Sequence, residues 1–149
     1  PGKKKWVAGL SLSFHNYYGE SIPYKTLSVG GAESVRGWEV LDSTLYAGES
    51  FRSGLNTYFF SAELRQTLIP KRLTSFGTEF GLILAEFFDV GAADDNFSHM
   101  ISEDPIIGTG IGLRFFIPGN VLFRVDYGIG YHDNEWRIPQ WHISVGHKF

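Results

Sequence analysis

The sequence predicts an all-β fold: six strands of an antiparallel transmembrane β-barrel. Three observations predict it. Apolar and polar residues alternate strictly over segments of about ten residues, the length a tilted strand needs to cross a bilayer. Aromatic residues make up 16% of the 149-residue chain beside 18 glycines, yet the mean hydropathy is only -0.09. Alternation explains that combination, because a lipid-facing apolar row and an inward polar row average out. Finally, the connections between these segments switch between short and long, as turns and loops do on the two sides of an outer-membrane barrel.

The elements follow in order. WVAGLSLSFH (6–15) puts Trp6, Ala8, Leu10, Leu12 and Phe14 on one face and Gly9, Ser11, Ser13 and His15 on the other. TYFFSAELRQTL (57–68) opposes Tyr58, Phe60, Ala62 and Leu64 to Ser61, Glu63, Arg65 and Thr67. SFGTEFGLILAEFFDVG (75–91) alternates less cleanly: Phe80, Leu82, Leu84 and Phe88 point outward, but Glu86 falls among them. A bulge, or a place at the membrane edge, is expected to accommodate that carboxylate. IIGTGIGLRFFI (106–117) sets Ile107, Ile111, Leu113 and Phe115 against Gly108, Gly110, Gly112 and Arg114. VLFRVDYGIGYH (121–132) is the clearest strand, with Val121, Phe123, Val125, Tyr127, Ile129 and Tyr131 opposite Leu122, Arg124, Asp126, Gly128, Gly130 and His132. QWHISVGHKF (140–149) places Trp141, Ile143, Val145 and Phe149 outward and His142, Ser144, Gly146 and Lys148 inward.

The connections at 69–75 and 118–120 are short, whereas those at about 17–56, 91–106 and 133–139 are longer. Short turns are periplasmic in such barrels, which puts the carboxyl terminus on the periplasmic side. A soluble sandwich also alternates, but with shorter strands and a more aliphatic core. Six strands are too few to close a membrane barrel, which needs about eight, and an open edge cannot sit in lipid. The chain is therefore expected to be part of a larger barrel.

Other function classes fit poorly. The net charge is -3 and the only basic cluster is Lys3-Lys4-Lys5, so nucleic acid is not an expected partner. There is no cysteine, hence no disulfide framework and no thiolate metal site. No apolar run reaches the ~18 residues of a transmembrane helix. No signal peptide is visible and the chain starts at Pro1, which reads as a mature form or a fragment. GTGIG (108–112) resembles a phosphate-binding loop but lacks the helix that should follow it. The five histidines do not cluster, and Asp94, Asp95, Glu103 and Asp104 read as solvated loop acids, so no metal is expected. No G-x-S-x-G elbow or Ser/His/Asp set is present, so no catalytic residue and no cofactor are assigned. Trp6, Tyr131, Trp136, Trp141 and Phe149 fall near strand ends and fit interfacial girdles, making the lipid bilayer the first expected partner.

Within the longest connection lies SVGGAESVRGWEV (28–40), which is neither a helix nor a regular strand. Its SVRGW resembles the Val-Arg-Gly-aromatic signature in a long extracellular loop of the BamA/TamA-type outer-membrane assembly factor superfamily, the bacterial surface antigen barrels. FFDVG (87–91) resembles that family's strand ending in (F/W)-D-x-G. GTGIGLRFFIPGNVLFRVDYGIGY (108–131) resembles its next-to-last hairpin, and HISVGHKF (142–149) resembles its final strand, with glycine three residues before a terminal aromatic. Order and spacing agree over essentially the whole chain. Trp38 stands where Phe or Tyr is usual, and PGN replaces the commoner PxGP turn; both departures are conservative.

The resemblance implies the last six of sixteen strands, in one barrel domain over residues 1–149 whose loop at about 17–56 folds back into the lumen. It implies a barrel of the bacterial outer membrane that inserts or translocates other polypeptides and performs no bond-making chemistry. Its partners would be unfolded outer-membrane proteins or a secreted polypeptide, with periplasmic or lipoprotein accessory subunits. In the family the loop arginine meets acidic groups on the barrel wall. Arg36, followed by Gly37 and Trp38, would take that part, and the candidates for its partners are Glu63 and Asp89, both inward by alternation. A guanidinium offers five donors and can hold two carboxylates at once. Gly30, Gly31 and Gly37 would permit tight turns, and Gly108, Gly110, Gly112, Gly128 and Gly130 would leave room for the loop.

Trp141, Ile143, Val145 and Phe149 resemble the carboxyl-terminal signal of such barrels. Gly146 matches the place where the last strand bends and weakens the seam with the first. An opened seam exposes backbone groups that can template an incoming strand. Two relatives share this barrel: patatin-like lipase autotransporters and two-partner secretion pores. The segment upstream of Pro1 would separate the three.

Overall fold

The computed structural model describes residues 5–18, 27–41, 50–74, 79–102, 104–117 and 121–146. Among them the strands in chain order are β1 (Trp6–Asn16), β2 (Leu27–Ser28), β3 (Ser53–Gly54), β4 (Asn56–Leu73), β5 (Glu79–Asp94), β6 (Ile106–Ile117), β7 (Val121–His132), β8 (Glu135–Trp136) and β9 (Gln140–Val145). A short helix, α1, covers Phe97–Ser102. The main sheet runs β1-β4-β5-β6-β7, with β8 and β9 sharing the far edge of β7, and every pairing is antiparallel. β2 and β3 form a separate two-residue ribbon. The fold is thus an antiparallel β-barrel fragment, and the sheet does not close on itself among the described residues.

Alternation sorts the two faces as expected. Leu10 is 73% exposed, Ile111 54% and Trp141 68%, whereas Glu63, Asp89, Arg114 and Asp126 on the other face are all at most 3% exposed. A bare apolar face opposite a covered polar one inverts the soluble pattern and suits strands whose outer solvent is lipid. No helix among the described residues is long and apolar enough to cross a membrane.

Several expectations need correction. β4 and β5 have 18 and 16 residues, well beyond the ~10 needed to cross. Their ladder continues up to Asn56↔Asp94, past the expected strand ends at Thr57 and Gly91, and down to Leu73↔Glu79, past the expected end at Leu68. The connection expected at 91–106 therefore begins inside β5 and continues into α1. Likewise, the turn expected at 69–75 begins inside β4, which runs to Leu73.

Glu86 needs no bulge: its ladder is regular, facing Leu64 on β4 and Ile111 on β6. The irregularities sit in β4 instead, between Thr67 and Ile69 and between Ile69 and Arg72. Pro70 lies in that second interval and has no N–H to give the ladder. The final strand is interrupted: β8 and β9 flank Arg137, Ile138 and Pro139, and only Arg137 N–H keeps a bond to β7, to Gly130 O at 2.8 Å. Lys3, Lys4, Glu103, the PGN turn, His147 and Phe149 lie outside the described residues.

The one buried apolar cluster among the described residues joins the long connection to the sheet: Val29, Val35 and Trp38 pack with Ala93 and Ile106, with Phe51 and Phe59 against them. The β2–β3 ribbon ties the start of segment 27–41 beside the ends of β4 and β5, and the middle of the segment lies across the polar face.

Candidate functional site

The turn at Val35-Arg36-Gly37-Trp38 is fully buried against the polar face. Its shape begins with backbone. Gly30, Gly31 and Gly37 adopt φ of +128°, +95° and +88°. Gly37 also fits a space that a side chain could not share, because a Cβ there would lie 2.5–2.8 Å from the Ile129–Gly130 backbone. Gly31 N–H bonds Trp38 O at 2.8 Å, closing the segment on itself.

Arg36 has every donor engaged or in contact. Nε donates to Asp89 Oδ2 at 2.7 Å and Nη2 to Asp89 Oδ1 at 3.0 Å, a bidentate fork. Nη1 donates to Glu63 Oε2 at 2.7 Å, and the Arg36 backbone N–H also reaches Asp89 Oδ2 at 3.0 Å. Ser61 Oγ donates to Asp89 Oδ1, fixing the carboxylate from behind. The guanidinium carbon lies 3.7 Å from the Phe87 ring centroid, so the ring face covers it as well. Burial alone would favour the neutral form of Arg36. The Asp89 hydrogen bond and charge, with Asp126 and Glu63, outweigh it and hold the proton more tightly than usual.

This pair belongs to a wider cluster. Glu63 Oε2 also accepts from Arg114 Nη2 at 3.0 Å, and Glu63 Oε1 accepts from Arg65 Nε at 2.6 Å. Arg114 Nη1 donates to Asp126 Oδ1. Asp126 Oδ2 lies 3.5 Å from Arg36 Nη1 and 3.9 Å from Arg124 Nε. Arg124 Nη2 donates to Ala32 O and to Glu33 Oε1, both at 3.0 Å, and so holds the loop a second time.

Arg114 and Arg124 are direct cross-strand partners, an arrangement that repels unless anions intervene. Four arginines (36, 65, 114, 124) and four carboxylates (Glu33, Glu63, Asp89, Asp126) make the cluster neutral. Such a network is stable only when its members are paired, since a buried charge left alone is costly.

Trp38 completes the turn. Its Nε1 donates to Ile107 O at 2.8 Å, its ring meets Phe51 and His132 edge-on, and the Arg52 and Arg137 guanidinium carbons lie 5.1 and 4.7 Å from its centroid. Gly37 N–H donates to His142 Nε2 at 2.9 Å, tying the turn to β9.

The structure thus brings Arg36, Gly37, Trp38, Glu63 and Asp89 together. Three of the five inward glycines make room for the loop: a Cβ on Gly108 would strike the Arg36 carbonyl, one on Gly128 would lie 3.0 Å from Gly37 N, and one on Gly130 would lie 2.6 Å from Trp38 Nε1. The other two serve different neighbours. Gly110 accommodates Phe87 and the Tyr127–Gly128 backbone, and Gly112 accommodates Asp126 and Arg114.

Trp141, Ile143 and Val145 stand far from this cluster on the bare face, all more than 60% exposed. Gly146 has φ +110° with nothing within 4 Å of a hypothetical Cβ. Arg114, Arg124, Asp126 and His142 were not singled out as site residues from sequence, although alternation had put all four on the polar face. Their heights relative to Arg36 depend on strand register, which alternation does not give.

Asp94 and Asp95 cap backbone N–H groups, of Asn96 at 2.5 Å and Leu55 at 3.1 Å. No group of three or more His, Cys, Asp or Glu side chains converges as a metal site among the described residues.

The family model described as the Omp85 superfamily domain matches residues 3–149. No curated protein and no solved structure matches the chain. With nearly the whole chain matched, and with strands built for lipid on one face, the chain belongs to the Omp85 superfamily, outer-membrane β-barrels that insert or translocate polypeptides.

Proposed function

We propose that residues 1–149 form the carboxyl-terminal wall of a sixteen-stranded, BamA-like barrel that inserts other outer-membrane proteins. The polar face is its lumen, and the loop at about 17–56 folds into it. Arg36, Gly37, Trp38, Glu63 and Asp89 fix that loop. The seam lies beside β9, where Trp141, Ile143, Val145, Gly146 and Phe149 serve membrane recognition and bending, with the carboxyl terminus in the periplasm. The barrel performs no bond chemistry, and periplasmic or lipoprotein subunits deliver its substrates.

The single observation that carries this reading is the buried arginine fork. Arg36, from a loop, reaches carboxylates on two different wall strands, β4 and β5. An arrangement that immobilises a loop inside a barrel fits a machine that controls its wall better than an open diffusion pore.

The test is reconstitution of the intact protein in liposomes, followed by addition of a urea-unfolded outer-membrane barrel protein. Wild type should accelerate its folding over empty liposomes, and Arg36→Ala should lose most of that acceleration. No acceleration by wild type would reject the assembly reading. Transport of one dedicated polypeptide would then favour a secretion pore, and release of fatty acids from vesicle lipid a lipase-bearing relative.

A further inference from the structure

β9, with six residues, is the shortest of the main strands of the sheet, and only the two-residue β8 beside it is shorter. β9 pairs only through Phe123↔Val145 to Gly128↔Gln140, and among the described residues it has one partner strand, β7. It is cut from β8 by Arg137, Ile138 and Pro139, and at its other end Gly146 turns away at φ +110° after its N–H bonds Leu122 O at 2.7 Å. A cavity of about 130 Å³ separates its beginning from the loop, with Gly37, Trp38 and Glu39 on one side and Arg137, Ile138 and Gln140 on the other.

One side chain of β9 spans to the loop. His142 is 8% exposed, lies opposite Asp126 in the ladder, and accepts the Gly37 N–H at Nε2. An accepting Nε2 carries no proton, so the proton of this neutral ring sits on Nδ1. Gly37 directly follows Arg36, which is held by β4 and β5. The turn between the two bonds cannot stretch, because Gly37 is wedged against the Ile129–Gly130 backbone. β9 therefore cannot move away from β7 without breaking the Gly37–His142 bond or pulling on the Arg36 fork.

We propose that His142 is a positioning residue that couples loop docking to the pairing of the last strand. When the loop is docked the edge strand is held; when the loop leaves, β9 loosens. This rests on the reading that Arg36 docks the loop, and it assigns that docking a consequence at the seam. Arg137, whose guanidinium lies against Trp38, supports the same contact from across the strand interruption.

The test is residue-resolved hydrogen exchange on the intact protein in a lipid bilayer, comparing wild type, Arg36→Ala, His142→Phe, His142→Gln and the Arg36→Ala/His142→Phe double variant. Phenylalanine keeps the ring and removes the acceptor, whereas the glutamine carbonyl can reach where Nε2 stood. His142→Phe should speed exchange of residues 140–145 about tenfold, the size expected for losing one buried hydrogen bond, and His142→Gln should restore much of the protection. Arg36→Ala should speed β9 by a similar factor, and the double variant should add little to either.

If Arg36→Ala frees residues 35–38 but leaves 140–145 unchanged, the coupling is wrong while the docking reading stands. If Arg36→Ala leaves 35–38 protected, the docking reading itself fails. Additive effects in the double variant would also overturn the coupling. Should His142→Phe fail to insert, Arg36→Ala and His142→Gln decide the matter: β9 exchange at the wild-type rate in Arg36→Ala refutes the proposal.

Discussion

Arg36 is 0% exposed, as is Asp89, and Glu63 is 3% exposed, so the fork among them is a buried ion network. Removing one member leaves the rest desolvated and unbalanced, and the cost follows from that imbalance more than from the bond lost. Asp89→Ala is expected to lower the unfolding free energy of the intact barrel by about 3–5 kcal/mol, read as a shift of the guanidinium unfolding midpoint. Arg36→Lys keeps the charge but cannot make the bidentate contact, so it should restore little of what Arg36→Ala loses in the liposome folding assay.

At this scale the sequence disclosed Arg36, Glu63 and Asp89 through a motif and a face. It did not disclose Asp126 and Arg114. Gly112 and Ala85 separate Asp126 from Arg65 along one cross-strand row, and Arg114 from β6 and Arg36 from the loop fill that gap, which alternation alone does not show.

Among the elements, β6 and β7 carry the close approach of loop to wall. A methyl on Gly108 would meet the Arg36 carbonyl, which is backbone and cannot rotate aside. Gly108→Ala should therefore displace the loop while leaving the β5–β6–β7 ladder formed: unchanged far-ultraviolet circular dichroism, but faster amide exchange at residues 35–38. Gly146 poses the opposite case. Space there is open, so Gly146→Ala meets only the strain of a left-handed backbone, roughly 1–2 kcal/mol. That strain should straighten or fray the end of β9, seen as changed exchange at residues 143–146 with little change at the loop.

Strand faces were legible because period-two alternation is a direct consequence of the pleat. Strand lengths were not. β5 runs past Gly91 through Ala92, Ala93 and Asp94, and β4 runs past Leu68 through Pro70, Lys71 and Arg72 to Leu73, where no apolar stripe advertises a strand. The interruption at 137–139 was hidden for a similar reason, since three residues of a long connection gave no sign that β8 had already paired.

The whole molecule presents two open edges, β1 and β9, among the described residues. Unpaired backbone on such edges is not tolerated in lipid. The fold is therefore complete only with further strands, and a structure of the intact protein should show both edges paired, with the β9 pairing the shorter.

In the intact barrel the loop is expected to stay docked in the lumen through the Arg36 fork. Trypsin reads this docking at the anchor itself, because the enzyme cuts after arginine and Arg36 is both anchor and cleavage site. In the intact protein embedded in its membrane, wild type should resist cleavage at Arg36–Gly37. Asp89→Ala, which frees the loop and keeps the arginine, should be cut there. Cleavage of wild type at that bond as readily as the variant would show that the fork does not hold the loop.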